Sequence, residues 1–400
     1  MSIRRSFFQH TYYTIRICAA LLSTALLAAG CQSSASKEQP NVPEADAEIV
    51  DFTHKAEADY AEGFHISYHD NYKLLEIINP FQDRVDTLRY SLVPRGIADQ
   101  VNVKNTREIP IPVRTLVATS TTHVALTDML NANETITGMV GADYIYTPEV
   151  RRRIEEGIIT GFPEGELNKE KVLALDPDLL MISGGQSSQF DNYRVLMDSG
   201  IDLLVNSEWL ETTPLGKAEW VKVMAALLNK EKLANEKFDA VARRYNHLKA
   251  AVDTVEDKPT TINNMPYKGA WFVPGGESFT ARFLRDAGAD YPWYDSGETG
   301  GLRKAFEVVY RQGLEADVWL HPGTAKTKED ILAKDERFRD FKSFRTGKIY
   351  HNYRRSTPSG ANDFWESGVV RPDLVLADLV KIFHPEIAGN HNFYYYGNVE

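Results

Sequence analysis

This 400-residue sequence predicts an α/β protein of two lobes joined by one long helix. Three observations carry that expectation. Short apolar strands alternate with helices from Arg114 to Asn206, the same alternation resumes after Pro259, and the stretch between is helical in pattern. Strand–helix alternation predicts parallel sheets covered by helices on both faces. The central stretch, about Lys217–Asp253, contains VKVMAALL, KEKLANEKF and AVARRYNHLKAAV with no proline or glycine after Gly216. An unbroken helix of that length would span ~50 Å. That exceeds the usual globular helix, and a single break near Asn229 would fit.

The elements follow in chain order. Residues 1–30 carry Arg4, Arg5 and Arg16 but no acidic residue, and Ile17–Ala29 is almost wholly apolar. Positive charge, a short apolar run and small residues predict a secretory signal; the run is too short for a membrane span of ~20 residues. Leu27-Ala28-Ala29-Gly30-Cys31 resembles the lipobox of bacterial lipoproteins, with Ala28 where that motif prefers Leu and Leu27 one place further back. The resemblance implies lipidation of Cys31 and a protein anchored in the cell envelope, facing the periplasm. Plain cleavage near Ala29 or Gly30 is the alternative. Residues 31–48 are polar, with Pro40 and Pro43, and read as a flexible tether. A first lobe is expected over 49–216. It opens with an antiparallel hairpin at 63–95, drawn from KLLEIINPF and DTLRYSLVPR. RTLVA, ITGMVG, DLLMIS and DLLVN are then strands; THVALTDML, KEKVLAL and NYRVLMDSG are helices. The linking helix takes 217–253. In the second lobe, 254–400, TTINNM, AWFV, DVWLHPG and GKIYHN are strands, SFTARFLRDAG is a helix, and VVRPDLVLADLVKIFH is the closing helix.

Composition narrows the function classes. The sequence pI is about 5.5 and the net charge is -11; loss of residues 1–30 with their three arginines takes it to -14. An acidic chain without a basic stripe is not expected to bind nucleic acid. Cys18 lies inside the signal, so Cys31 would be the lone cysteine of the mature chain, too few for a disulfide framework or a cysteine metal site. No HExxH, G-x-S-x-G or phosphate-binding glycine loop occurs, and no cofactor is expected.

From Ile111 to His384 the chain resembles the substrate-binding proteins of ABC importers for cobalamin, ferric siderophores and haem. The resemblance rests on order and spacing. In the first half, Gly141 is followed by Asp143-Tyr144, then Gly161–Glu170, then Val172–Ser183 with its Asp176-Pro177-Asp178 turn. In the second half, Pro274-Gly275-Gly276 precedes a helix ended by Ala287-Gly288-Ala289, and Phe306-Glu307 opens the helix before Asp317–Leu320. It implies a ligand cleft between the lobes, a metal-chelate ligand, ABC importer membrane subunits as partners, and a monomer.

Cleft residues are then sought on loops leaving the carboxyl ends of strands. These loops nominate Tyr144, Tyr146, Trp209, Trp271, Phe272, Trp293, Tyr294, Asp363 and Trp365, with Arg303 and Arg354 for ligand carboxylates. Trp319, mid-strand, reads as core. Ser120, Thr121 and Thr122 suit an N-cap, or an anion at a helix start. The resemblance also assigns Glu170, in Asn168-Lys169-Glu170, and Glu307 to docking on the importer. Carboxylates in a first helical turn are favoured by the helix dipole in any case. His321 and His351 fall near strand ends, without a metal-binding spacing. A bare metal-ion binding protein and an envelope hydrolase remain the competing readings.

Overall fold

The computed structural model describes residues 52–400 apart from Glu166. The signal segment, Cys31 and the whole tether lie outside the described residues. The expected hairpin is part of a larger sheet of β1 (Phe64–Tyr68), β2 (Lys73–Ile78), β3 (Thr87–Pro94) and β4 (Arg107–Ile111), in that order. β1 to β3 pair antiparallel and β4 joins β3 in parallel. Alternation decides its buried face: Lys73, Leu75 and Ile77 of β2 point inward. Lys73 is apolar company only in its stem. Its ammonium donates to the Ala226 carbonyl and to Asn229 Oδ1, both at 2.8 Å, and pairs with buried Glu231.

The first lobe's main sheet contains β5 (Leu116–Ala118), β6 (Ile136–Val140), β7 (Thr160–Phe162), β8 (Leu179–Ser183) and β9 (Leu203–Asn206). All pairs are parallel and the order is β7-β6-β5-β8-β9. The chain winds outward from β5 in both directions, so the loops after β5 and its neighbours open at one edge, where such sheets place ligands.

The linking segment has its main break at Asn229, where the sequence allows for one, and a short helical piece before it adds a second. Pro214–Glu219 and Val221–Leu228 come first; Asn229 turns left-handed at φ 54°; Glu231–Val252 then runs on for 22 residues. Asn tolerates that backbone region better than most residues and its side chain accepts from Lys73, which fixes the break there. The last helix is ~33 Å long.

The second lobe comprises β10 (Thr261–Asn263), β11 (Trp271–Pro274), β12 (Gly301–Lys304), β13 (Val318–Leu320), β14 (Ile349–His351) and β15 (Gly397–Asn398). β10, β13 and β14 pair in parallel and β15 closes that sheet antiparallel; β11 and β12 form a separate antiparallel pair, joined through helix Phe279–Asp286. Asp378, on helix Pro372–Phe383, is fully buried and accepts the backbone N–H groups of Tyr394, Tyr395 and Tyr396, which fastens the last segment to the lobe. One apolar cluster runs from Phe64 through Trp220, Phe238 and Tyr245 to Trp271 and Trp319, so the linking helix is part of the core.

Candidate functional site: an uncharged cavity at the second lobe's strand ends

A cavity of about 310 Å³ opens where β10, β13 and β14 end. Asn264, His321 and Asn352 follow those strands directly; Phe279, Thr280 and Phe283 come from helix Phe279–Asp286; Phe364 and Trp365 come from the loop before the closing helix. A second hollow of about 280 Å³ shares Asn264, Pro274, Phe279 and Thr280 with it and extends to Phe272 on β11 and Gly301 on β12. Among the described residues, no Asp, Glu, Lys or Arg lines the wall of the 310 Å³ cavity. His321 is neutral there: burial pushes its imidazole down to about 4, and Nε2 lies 2.9 Å from Tyr396 Oη. His351 is likewise lowered to about 4, chiefly by burial, and stacks on Tyr353 at 3.8 Å.

The nominated residues divide. Trp365 is 59% exposed and lines the cavity; Phe272 is 47% exposed and lines the adjoining hollow. Arg303 on β12 is exposed directly opposite Phe272 on β11 and so shares its face. On the first lobe, Tyr144 stands exposed beyond β6, Tyr146 lies under the Arg355 guanidinium at 5.0 Å, and Trp209 donates its indole N–H to the Gly184 carbonyl at 2.8 Å. Tyr294 is half-buried, with its hydroxyl on the Ala289 carbonyl at 3.0 Å. Arg354 is exposed next to β14.

Three nominations are corrected. Trp271 is fully buried among Phe306, Trp319, Phe338 and Phe341, because strand alternation turns it inward and its neighbour Phe272 outward. Trp293 is buried against Tyr291, in a loop folded so closely over Gly276 that a Cβ there would meet the carbonyl oxygens of Tyr294, Ser296 and Trp293 at 2.3 to 2.7 Å. Asp363 is buried in an ion pair with Arg355 at 2.5 Å. Trp319 is core, as expected. Ser120 serves as an N-cap, accepting from Thr122 N at 3.3 Å.

Sequence reading missed Asn264, Phe279 and Thr280, which no motif marks. It also missed Lys217, whose ammonium sits 4.1 Å over the Phe279 ring, and Glu366. Glu366 is fully buried in the second lobe, yet accepts from Tyr146 N at 2.7 Å and Thr147 N at 2.9 Å in the first, and from the Thr147 hydroxyl. Burial outweighs these donors and raises its carboxyl to about 7. Glu170 and Glu307 are both exposed in the first turns of helices Lys169–Leu175 and Phe306–Gly313, each followed by a sheet strand. Among the described residues, no group of three or more His, Cys, Asp or Glu side chains is placed to hold a metal ion, and no helix is long and apolar enough to cross a membrane.

Two α/β lobes on a linking helix, with a cavity at the strand ends, define a binding protein of the two-lobe kind. The chain belongs to the periplasmic binding protein family, whose model matches residues 116–353. It is 24% identical over 356 residues to an uncharacterised lipoprotein of Methanocaldococcus jannaschii, covering 82% of this chain and 81% of that one. Among solved structures, it resembles a possible iron-binding (periplasmic solute-binding) protein of Staphylococcus epidermidis, with TM-score 0.52, 17% identity and coverage of 68% of this chain and 98% of that one. A periplasmic heme binding protein of Pseudomonas aeruginosa also matches, with TM-score 0.52, 14% identity and coverage of 72% and 98%.

Proposed function

We propose that this protein captures a metal chelate (a ferric siderophore, cobalamin or haem) and delivers it to an ABC importer without chemical turnover. The observation that carries this reading is the uncharged, aromatic-walled cavity at the second lobe's strand ends. A chelate brings its metal already coordinated, so the protein need supply only apolar surface and a few polar anchors. A bare divalent ion would need His or carboxylate ligands from the protein, and the cavity wall offers His321 alone among such groups. Membrane anchoring through Cys31 is part of the proposal, supported by the signal-like segment and by the lipoprotein relative. Cys31→Ala is expected to release the protein from membranes or leave it unprocessed; an acylated, membrane-bound variant would refute the anchor.

Thermal unfolding with cobalamin, haem and several ferric siderophores tests the reading. A true ligand well above its Kd is expected to add ~2–4 kcal/mol of stability. Stabilisation by free zinc or manganese alone would favour the bare-ion reading, and consumption of a bound ester or peptide would favour a hydrolase.

A further inference from the structure

Glu366 sits where two roles meet. The loop that holds it is built of two short turns, Asp363–Trp365 and Ser367–Val369, with Glu366 between them. On one side of Glu366, Phe364 and Trp365 line the cavity. On the other, the chain enters helix Pro372–Phe383, which packs against the linking helix Glu231–Val252. The Glu366 side chain belongs to neither neighbour: it crosses to the first lobe, where helix Pro148–Glu155 begins.

That helix start lacks a cap of its own. Thr147 occupies the N-cap position and its side chain makes no capping hydrogen bond; Pro148 follows at the first helical position. The N–H groups of Tyr146 and Thr147 and the Thr147 hydroxyl all turn to Glu366. Among the described residues, the other hydrogen bonds between the lobes' facing loops are longer, Thr121 Oγ1 to the Trp365 carbonyl at 3.4 Å and Ser359 Oγ to the Asp143 carbonyl at 3.5 Å. A fully buried carboxylate with three donors from the opposite lobe is thus the strongest polar tie between those loops.

We infer that Glu366 is a positioning residue: it fastens the loop bearing Trp365 to the first lobe and so sets the separation of the lobes at the cleft. Removing the carboxylate frees the Trp365 loop and lets the lobes part about the linking helix. A capping role confined to helix Pro148–Glu155 would instead leave the separation unchanged.

The test needs no ligand, so its outcome is independent of the chelate reading. Amide exchange and solution scattering are measured at about pH 8, where the Glu366 carboxyl, raised to about 7, is mostly ionised, on the ligand-free protein for wild type, Glu366→Ala, Glu366→Gln and Thr147→Val. In Glu366→Ala, exchange at Tyr146 and Thr147 is expected to accelerate roughly tenfold or more, as for loss of a charge-assisted hydrogen bond, with a larger radius of gyration. Glu366→Gln keeps one acceptor oxygen and is expected to fall between Ala and wild type. Thr147→Val is expected to shift both readouts in the same direction by less, and to add nothing when combined with Glu366→Ala. Faster exchange with unchanged scattering in all variants overturns the inference and leaves a helix cap. Should Glu366→Ala fail to fold, Glu366→Gln and Thr147→Val decide by the same two readouts.

Discussion

Trp365 and Trp271 are both tryptophans near strand ends, yet they call for opposite experiments. Trp365→Ala removes a surface ring beside the cavity and is expected to weaken ligand binding by ~1–3 kcal/mol, with the unfolding midpoint nearly unchanged. Trp271→Ala empties a site enclosed by four aromatic rings and is expected to cost ~3–5 kcal/mol of stability. Denaturant unfolding paired with ligand titration checks both; loss of stability in the first or normal stability in the second would reverse the assignments. His123 gives a pH prediction. It is fully buried, its Nε2 has no partner among the described residues, and burial pushes it down to about 3. The unfolded chain protonates this imidazole below about 6.5, whereas the folded one stays neutral until far lower pH. Stability from this residue is therefore full above pH 6.5 and falls as pH drops from there toward 3, by up to roughly 1.4 kcal/mol per unit. Denaturation of His123→Asn at pH 7, 6 and 5 is expected to show a shallower acid loss than wild type; parallel profiles would mean that His123 does not contribute.

At the scale of elements, the junction between the N-terminal sheet and the linking helix depends on one buried cation. Lys73 joins β2 to the left-handed break at Asn229 and to Glu231 in the first turn of the helix. Lys73→Ala leaves Glu231 buried without its partner, an arrangement that typically costs ~3–5 kcal/mol. Lys73→Met with Glu231→Leu replaces the pair by apolar volume and is expected to recover most of that loss. A double-mutant cycle in urea measures it, and additive effects would show that the pair is not coupled. The break itself was half legible. Asn229 stands out as an interruption in an otherwise uninterrupted helical pattern, but helical propensity alone gave no reason for Pro214–Glu219 and Val221–Leu228 to be separate pieces. The two pieces meet at Trp220, which is fully buried against Phe64 of β1 and donates its indole N–H to Glu211 at 3.0 Å.

For the whole molecule, two exposed glutamates occupy matching places in the two lobes. Glu170 and Glu307 open equivalent helices in the two lobes, 137 positions apart. We propose that they dock on arginines of the importer, a role supported by their exposure in both lobes. Exposed charges that steer a partner affect association more than folding. The double variant Glu170→Ala, Glu307→Ala is expected to bind ligand and unfold as wild type does, while losing uptake or stimulation of the importer's ATPase. Normal transport by that variant would leave both residues as carboxylates favoured by helix dipoles.

The sequence by itself determined the two α/β lobes, the helical segment between them and the loops in which a site had to be sought. Those features follow from local periodicity: apolar runs of strand length, helical spacing, and turn residues between them, all of which act over neighbouring positions. It also nominated Phe272 and Trp365, which the fold carries to two adjoining hollows, Phe272 from antiparallel strand β11 and Trp365 from the turn before the closing helix. Tertiary structure alone decided which aromatic faces outward, because that depends on pleat and on what packs above: Trp271 and Phe272 are adjacent in sequence and opposite in burial. It alone joined Asn264, Phe279, His321 and Trp365 into one wall from four separate segments. And it alone made Glu366 a tie between lobes, since its partners Tyr146 and Thr147 lie 220 and 219 residues away, beyond the reach of any local pattern.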